Sequence, residues 1–577
     1  AIPSSMNRIK LVNLLVNALF LFIGLGIVNL QLIQGHKFRV LSDKNCIRLI
    51  PQLGARGRIL DRQGQVIAGN KLSYDVLVIP QSLEEGDETL LGISKILGTP
   101  LLDLKRTMKR EYAASSVPVT VAKNIDTRKA IALEELKNDL PGIIMQSRPK
   151  RAYPYGALAA HLLGYVSEID RWRLTKLEDY GYKTRDLVGS GGVEEKYDYF
   201  LRQEEGGMSV EVDHRGNFVR TLGFRPPTSG KDVQLTIDLG IQRIVDEELN
   251  GRKGCVILMD AGSGAIIALA SGPNFSPGSF VDTKDDSLSR IFSDPDTPLI
   301  NRAISGTYPP GSVFKLVLAT AGLETGKINP DTSFLCKGSV QVGKKIFLCW
   351  NTHGMQNLVK AICHSCNGFF YRTGLLLGPQ TIHDYAVKFG FSRSTSFELP
   401  YEASGFIPSP LWRKINRFQN WYDGDTANFS IGQGEVLVTP LQVARMMAVF
   451  ANKGYLVTPY IVRSIGGKDI STYHKKSARL PIKPQNMELI RQGLRDVVFN
   501  PTGTGNVLSG LSVSVAGKTG TAQTGKGSSH AWFAGFFPFK SPRYVMCVFL
   551  EKGGPGYYSC VLARRIIERM INENLLN

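Results

Sequence analysis

Between Lys10 and Lys37 the chain carries no Asp, Glu, Lys or Arg, and Leu11–Ile33 reads LVNLLVNALFLFIGLGIVNLQLI. As a helix these 23 residues rise about 34 Å, enough to cross the hydrocarbon of a bilayer. A buried core helix is a poor alternative at this length. No small-residue cleavage site follows, so an uncleaved signal anchor is predicted. Arg8 and Lys10 place the N-terminus in the cytoplasm, although Lys37, Arg39 and Lys44 on the far side weaken that asymmetry. The rest of the chain is then extracytoplasmic.

With 577 residues, 43% of them hydrophobic, the chain is too long for one ordinary domain and rich enough for large cores. The net charge of +19 points to anionic surroundings. No zinc finger, RNA-recognition motif or arginine-rich tract accompanies it, so a basic surface beside a membrane is the reading and nucleic acid is not. Three segments follow: 1–36 as tail and anchor, 37–230 as a separate module that reads as a scaffold and docking surface, and 231–577 as a further domain. In the module 37–230, Leu101–Ala114 and Thr127–Leu136 have helical composition, and Gly189-Ser190-Gly191-Gly192 marks a loop. Nothing there pairs a nucleophile with a base, and His161 and His214 read as surface or hydrogen-bonded core residues. From Lys231 the pattern changes. Val233–Ile237 alternates as a strand, Leu239–Leu249 reads as a helix, and Gly254–Met259 with Ala265–Ala270 form a hairpin. Ala531–Phe537, Arg543–Glu551 and the helix Ser559–Asn577 continue the same grammar. The fold class is α+β, with helices packed on an antiparallel sheet.

Tyr308-Pro309-Pro310-Gly311-Ser312-Val313-Phe314-Lys315 opens a long apolar run. Prolines and glycine end a preceding helix but can begin a new one, so Ser312 falls near a helix N-terminus with Lys315 one turn on. A serine hydroxyl needs a neighbouring base, and a desolvated lysine with a lowered pKa can be that base. Ser-x-x-Lys alone is weak. Ser365-Cys366-Asn367 lies in a helix-like stretch from Leu358 to Tyr371, and Lys518-Thr519-Gly520-Thr521 follows the alternating run Leu511–Val515. Together they are the motif set shared by β-lactamases and penicillin-binding proteins.

The anchor, Arg56-Gly57-Arg58-Ile59-Leu60-Asp61-Arg62 and the three motifs resemble a class B penicillin-binding protein. Arg151–Gly156, Ala160–Val166, Gly192–Asp198, Ile431–Gly434 and Thr439–Gln442 resemble the elongation-type branch, penicillin-binding protein 2. Leu201-Arg202-Gln203 departs from that pattern, which usually has Gly after the Leu-Arg, but the loop carries no chemistry. The resemblance implies a single-pass protein of the bacterial inner membrane, with an elongated α+β pedestal (dimerisation-type) at 37–230 and a β-lactamase-like transpeptidase domain at 231–577 that faces the periplasm and cross-links peptidoglycan stem peptides. Ser312 would attack the D-Ala-D-Ala carbonyl, Lys315 take its proton, and the Ser312 and Thr521 N–H groups hold the oxyanion. Ser365 would relay a proton, Asn367 orient Lys315 and the substrate amide, and Lys518, Thr519 and Thr521 bind the terminal carboxylate beside Gly520. β-Lactams would be trapped on the same serine. The implied partners are a RodA-type glycosyltransferase and an MreC-type regulator.

Four of the eight cysteines fall within Cys336–Cys366. Cys336, Cys349, His353 and Cys366 are spaced Cys-x12-Cys-x3-His-x12-Cys, the donor set of a closed structural zinc site. Cys366 lies inside the second motif, so zinc there would brace Ser365 and Asn367. A Cys336–Cys349 disulfide is the alternative outside the cytoplasm, and Cys363 and His364 are rival ligands. Cys46, Cys255, Cys547 and Cys560 read as ordinary buried residues.

A β-lactamase or β-lactam sensor would use the same Ser312, Lys315 and Lys518, with Glu398 or Glu402 available to activate water. A division-type transpeptidase and a non-catalytic wall scaffold are further alternatives. The anchor and long pedestal argue against a lactamase, and the intact Ser312, Lys315, Asn367 and Lys518 argue against a scaffold.

Overall fold

The apolar run is helical: Ser4–Val28 is α-helix and Asn29–Ile33 adds a π turn. Within the 25 residues Ile9–Ile33 an 18-residue window averages a hydropathy of 2.4 and none of it is buried, so the segment is long and apolar enough to cross a membrane. The structure, a computed structural model, describes residues 4–576 apart from 40–46, 81–82, 84–87, 113–117, 137–138, 141, 185, 213–217, 282–286, 475–477 and 526. The expectations for Lys44, Cys46, His214 and the Ala113–Ala114 end of the first pedestal helix lie outside the described residues.

The chain divides into two units. The first comprises Ala1–Ala55, Lys71–Lys150 and Gln203–Ser229. Within it Ile47–Gln52, Gly206–Val212 and Phe218–Arg225 form a three-stranded antiparallel sheet in that order. A separate apolar core gathers Val76, Val78, Val119 and Val121 with the helices Glu88–Leu97, Leu101–Glu111 and Thr127–Glu135.

The second unit comprises Arg56–Asn70, Arg151–Arg202 and Gly230–Asn577. Its centre is a five-stranded antiparallel sheet ordered Ile266–Gly272, Gly254–Asp260, Tyr544–Leu550, Ser529–Phe537, Ala516–Gln523. Helices cover both faces, which is why Ile266–Gly272, Gly254–Asp260 and Tyr544–Leu550 are almost wholly apolar rather than alternating, while the edge strand Ala516–Gln523 carries polar residues. Val256 and Leu258 pack with residues of the helices Leu239–Leu249 and Tyr557–Asn572. Cys255, Ile257 and Met259, one step along the strand, join the core containing the helix Pro440–Ala451. The helix Leu239–Leu249 has its expected limits because the Asp238 carboxylate caps the Ile241 N–H at 3.2 Å. The alternating run Leu511–Val515 is not a strand; pairing begins at Ala516 opposite Phe536. The partner strand ends at Phe537, and Pro538 and Pro542 beyond it cannot continue a ladder.

Residues that carried the family resemblance form a buried ion cluster in this unit. Glu194, fully buried, receives the Arg56 Nε at 2.7 Å and the Arg151 Nε at 2.6 Å. Arg56 also reaches Asp198 at 2.6 Å, and Tyr182 donates to the other Asp198 oxygen at 2.6 Å. Burial alone would raise the Glu194 carboxyl, but Arg151 and Arg56 outweigh it and hold it below the ordinary range. His161 is a hydrogen-bonded core residue, its Nε2 2.6 Å from the Pro298 carbonyl.

Candidate active site

The nucleophile turn is built from residues that leave the backbone little choice. Gly311 has φ +54° and its N–H donates to Gly432 O at 3.0 Å. A side chain at Gly311 would meet Thr521 O at 2.9 Å, so the turn lies directly against the strand of the third motif. Ser312 sits half-buried in the 3-10 turn Gly311–Phe314, and Lys315 begins the α-helix Lys315–Glu324. That helix is buried on every side through Leu323, which explains its uniformly apolar sequence.

Lys315 is wholly buried, and its ammonium donates to Ser365 O at 2.7 Å, Ser365 Oγ at 3.4 Å and Asn367 Oδ1 at 2.7 Å. The Ser312 hydroxyl is not among these partners. Burial lowers the Lys315 pKa to about 7, against the opposing pull of Cys349 and Cys366. The stretch Leu358–Tyr371 is not one helix. It splits into Leu358–Cys363 and Asn367–Leu377 because Ser365 is left-handed, with φ +52°. That break turns both the Ser365 carbonyl and its hydroxyl toward Lys315.

Lys518, Thr519, Gly520 and Thr521 lie on the edge strand of the central sheet. Lys518 is fully buried and donates to Thr519 O at 3.1 Å. Burial depresses its pKa strongly and repulsion from Lys315 adds to this, so the two ammonium groups feel each other. The Thr519 hydroxyl donates to Thr504 Oγ1 at 2.7 Å, and Thr521 Oγ1 accepts the Gly556 N–H at 3.0 Å. A Cβ on Gly520 would meet Pro310 O at 3.1 Å and Val313 Cγ1 at 3.3 Å, so the first and third motifs touch. Thr504 and Trp532 were not singled out in the sequence. Neither belongs to a motif, and only the fold brings them here.

The donor atoms of Cys336, Cys349, His353 and Cys366 all lie within 4.8 Å of one another. His353 Nδ1 is 3.4 Å from Cys349 Sγ and 3.6 Å from Cys336 Sγ. Tetrahedral zinc with ordinary bond lengths gives sulfur–nitrogen and sulfur–sulfur edges of about 3.5–3.8 Å, and the two His353 distances lie close to that range. The rivals face elsewhere: Cys363 Sγ bonds Asp496 O at 3.3 Å, and both His364 nitrogens are taken by Gln356 and Thr502 at 2.9 Å. Cys349 Sγ accepts the Asn367 N–H at 3.2 Å, tying the cluster to the second motif. Cys255, Cys547 and Cys560 are buried free thiols. Glu398 and Glu402 are occupied elsewhere: Glu398 accepts the Ile461 and Val462 N–H groups, and Glu402 accepts from Thr395 and Ser394.

Comparison with known proteins bears on this arrangement. Residues 254–572 match the penicillin binding protein transpeptidase domain, and residues 51–235 match the penicillin-binding protein dimerisation domain. The chain belongs to the penicillin-binding protein transpeptidase family. It is 32% identical over 565 residues to the peptidoglycan D,D-transpeptidase MrdA of Acinetobacter baumannii, covering 93% of this chain and 84% of that one. With the MrdA of Escherichia coli K12 it shares 29% identity over 583 residues, or 95% and 92% of the two chains. The penicillin-binding protein 2 of Helicobacter pylori, solved in complex with MreC, superposes with a TM-score of 0.81 at 28% identity, covering 92% of this chain and 99% of that one. A chain from a peptidoglycan synthase complex that coordinates polymerization and crosslinking gives a TM-score of 0.76 at 28% identity, covering 97% of each. Within the family the chain falls in the elongation-type branch, penicillin-binding protein 2.

Proposed function

We propose that the chain is a peptidoglycan D,D-transpeptidase of cell elongation that works through an acyl-enzyme on Ser312. The observation that carries this reading is the convergence of the Ser312 turn, Lys315, Ser365, Asn367 and Lys518 on one buried site. In its neutral form Lys315 takes the Ser312 proton as the hydroxyl oxygen bonds to the carbonyl carbon between the terminal D-alanines. The N–H groups of Ser312 and Thr521 stabilise the oxyanion. As the C–N bond breaks, the departing amine takes a proton from the Lys315 ammonium through the Ser365 hydroxyl, and D-alanine leaves. The amine of a second stem peptide then attacks the ester, which restores Ser312 and forms the cross-link. Lys518, with Thr519 and Thr521, receives the donor's terminal carboxylate, whose charge offsets the burial that depresses the lysine. Asn367 positions Lys315 and the substrate amide.

A β-lactam acylates the same serine. With both candidate glutamates engaged in loop structure, no base stands assigned to hydrolyse the ester, so a stable adduct is expected. Incubation with excess penicillin should consume about one equivalent per chain; continuous turnover would favour the β-lactamase reading instead. Cys336, Cys349, His353 and Cys366 would hold a structural zinc, which when bound fixes the Cys349 and Cys366 sulfurs and through them the Asn367 backbone. Metal analysis should find about one zinc per chain, lost in Cys349→Ser. No metal, together with loss of the Cys336 and Cys349 free thiols, would favour the disulfide. The same reading places the apolar helix across the bacterial inner membrane, residues 37–230 as the pedestal and residues 231–577 outside the cytoplasm. RodA-type and MreC-type proteins are its partners.

A further inference from the structure

The geometry points to Trp532 as a positioning residue for acyl transfer, holding the nucleophile turn in register with the strand that bears Thr521. This rests on the transpeptidase reading above. The two N–H groups assigned to the oxyanion belong to different elements, the turn Gly311–Phe314 and the strand Ala516–Gln523, so their spacing depends on whatever fixes one against the other. Pro309 and Pro310 have no N–H, which leaves the turn poor in donors of its own. Tyr308 exchanges two backbone hydrogen bonds with Val438 at 2.9 Å each, and Gly311 N–H donates to Gly432 O at 3.0 Å. Those clamps come from the loop 431–438. From the sheet, among the described residues, the hydrogen bond reaching Tyr308–Gly311 is that of the Trp532 indole N–H to Pro309 O, at 3.0 Å.

Trp532 is fully buried and stands directly opposite Gly520 in the ladder, one residue from Thr521. A side chain on Gly520 would meet both Trp532 Cβ and Pro310 O at 3.1 Å, so tryptophan, strand and turn pack with no spare space. The indole is braced from behind by Phe549, 4.4 Å between ring centroids, and Phe549 in turn lies 4.1 Å from the Tyr308 ring. One side chain thus pairs with the strand through its backbone and bonds the turn through its ring.

The test uses the full chain in detergent, a fluorescent penicillin, and rates expressed per titrated active site. Trp532→Phe keeps the ring and loses the donor. Replacing the indole by its benzothienyl isostere keeps the shape as well, and decides the matter if the phenylalanine variant folds poorly. Both are expected to slow acylation and deacylation together, about tenfold each, because both steps use the same oxyanion donors. The melting temperature of the isostere variant should stay near that of the parent. Acylation and deacylation within twofold of wild type in the isostere variant would overturn the inference. So would a loss confined to the number of active sites, since that is the mark of a purely structural residue. Failure of the wild-type chain to form any penicillin adduct would instead strike the transpeptidase reading itself.

Discussion

Replacing Lys315 with methionine is expected to slow acylation of Ser312 by penicillin about 10³-fold, with little loss of folded protein. Methionine fills similar space, and the lysine it replaces is wholly buried. The pH profile separates loss of a base from loss of shape. Burial brings the Lys315 pKa to about 7, so in the wild type acylation should rise as pH climbs through 7 and the amine gives up its proton. Below that it should fall about tenfold per unit, since only the neutral amine accepts the serine proton. The methionine variant should lose this limb. Stability follows the same group. The unfolded lysine keeps its proton up to its ordinary pKa near 10.5, whereas the folded one loses it near 7, so this residue makes the protein more stable as pH rises between the two. Stopped-flow acylation from pH 5 to 9 checks the kinetic part. An unchanged pH limb in the variant would assign the base elsewhere.

Glu194→Ala is expected to be the most damaging single change to stability away from the catalytic motifs. Glu194 is fully buried and neutralises Arg56 and Arg151, both nearly so. Truncating it strands the Arg151 guanidinium without its anion and leaves Arg56 with Asp198 alone, a cost of about 3–5 kcal/mol. Glu194→Gln preserves the shape but not the charge and should recover little of the loss. The carboxyl is held below its ordinary range, so its stabilisation is complete at neutral pH and is lost only as the pH falls below the usual carboxylate range through that lowered value. Thermal unfolding and protease sensitivity of the two variants test this. Wild-type behaviour of Glu194→Ala would mean that the cluster contributes recognition rather than stability.

The chemistry was more legible in the sequence than the geometry that arms it. Ser312 with Lys315, Ser365 with Asn367, and Lys518 with Gly520 are short local patterns, and local patterns survive in a one-dimensional reading. The helix Leu239–Leu249 was legible for the same reason, since an aspartate immediately before an apolar periodic run is a local signal. The left-handed Ser365 was not. Asn367 and Gly368 weaken helix within Leu358–Tyr371 without fixing where it breaks, and the break at Ser365 is sustained by Lys315 from another helix. The run Leu511–Val515 alternates as a strand should, but a strand needs a neighbour, and the chain that would supply one contains Pro538, which has no N–H to offer a ladder. Thr504 and Trp532 lie far along the chain from the residues they hold, so neither spacing nor composition marks them. The arginines and acids that carried the family resemblance in Arg56–Arg62 and Gly192–Asp198 gave no sign of meeting in one buried cluster.

Intact-mass analysis of the full chain after brief exposure to benzylpenicillin, followed by peptide mapping, bears most directly on Ser312 as the nucleophile. A single adduct of one penicillin is predicted, persisting for many minutes, located on the peptide that contains Ser312 and absent from Ser312→Ala. A folded chain that takes no adduct, or takes it on a different residue, would contradict the account.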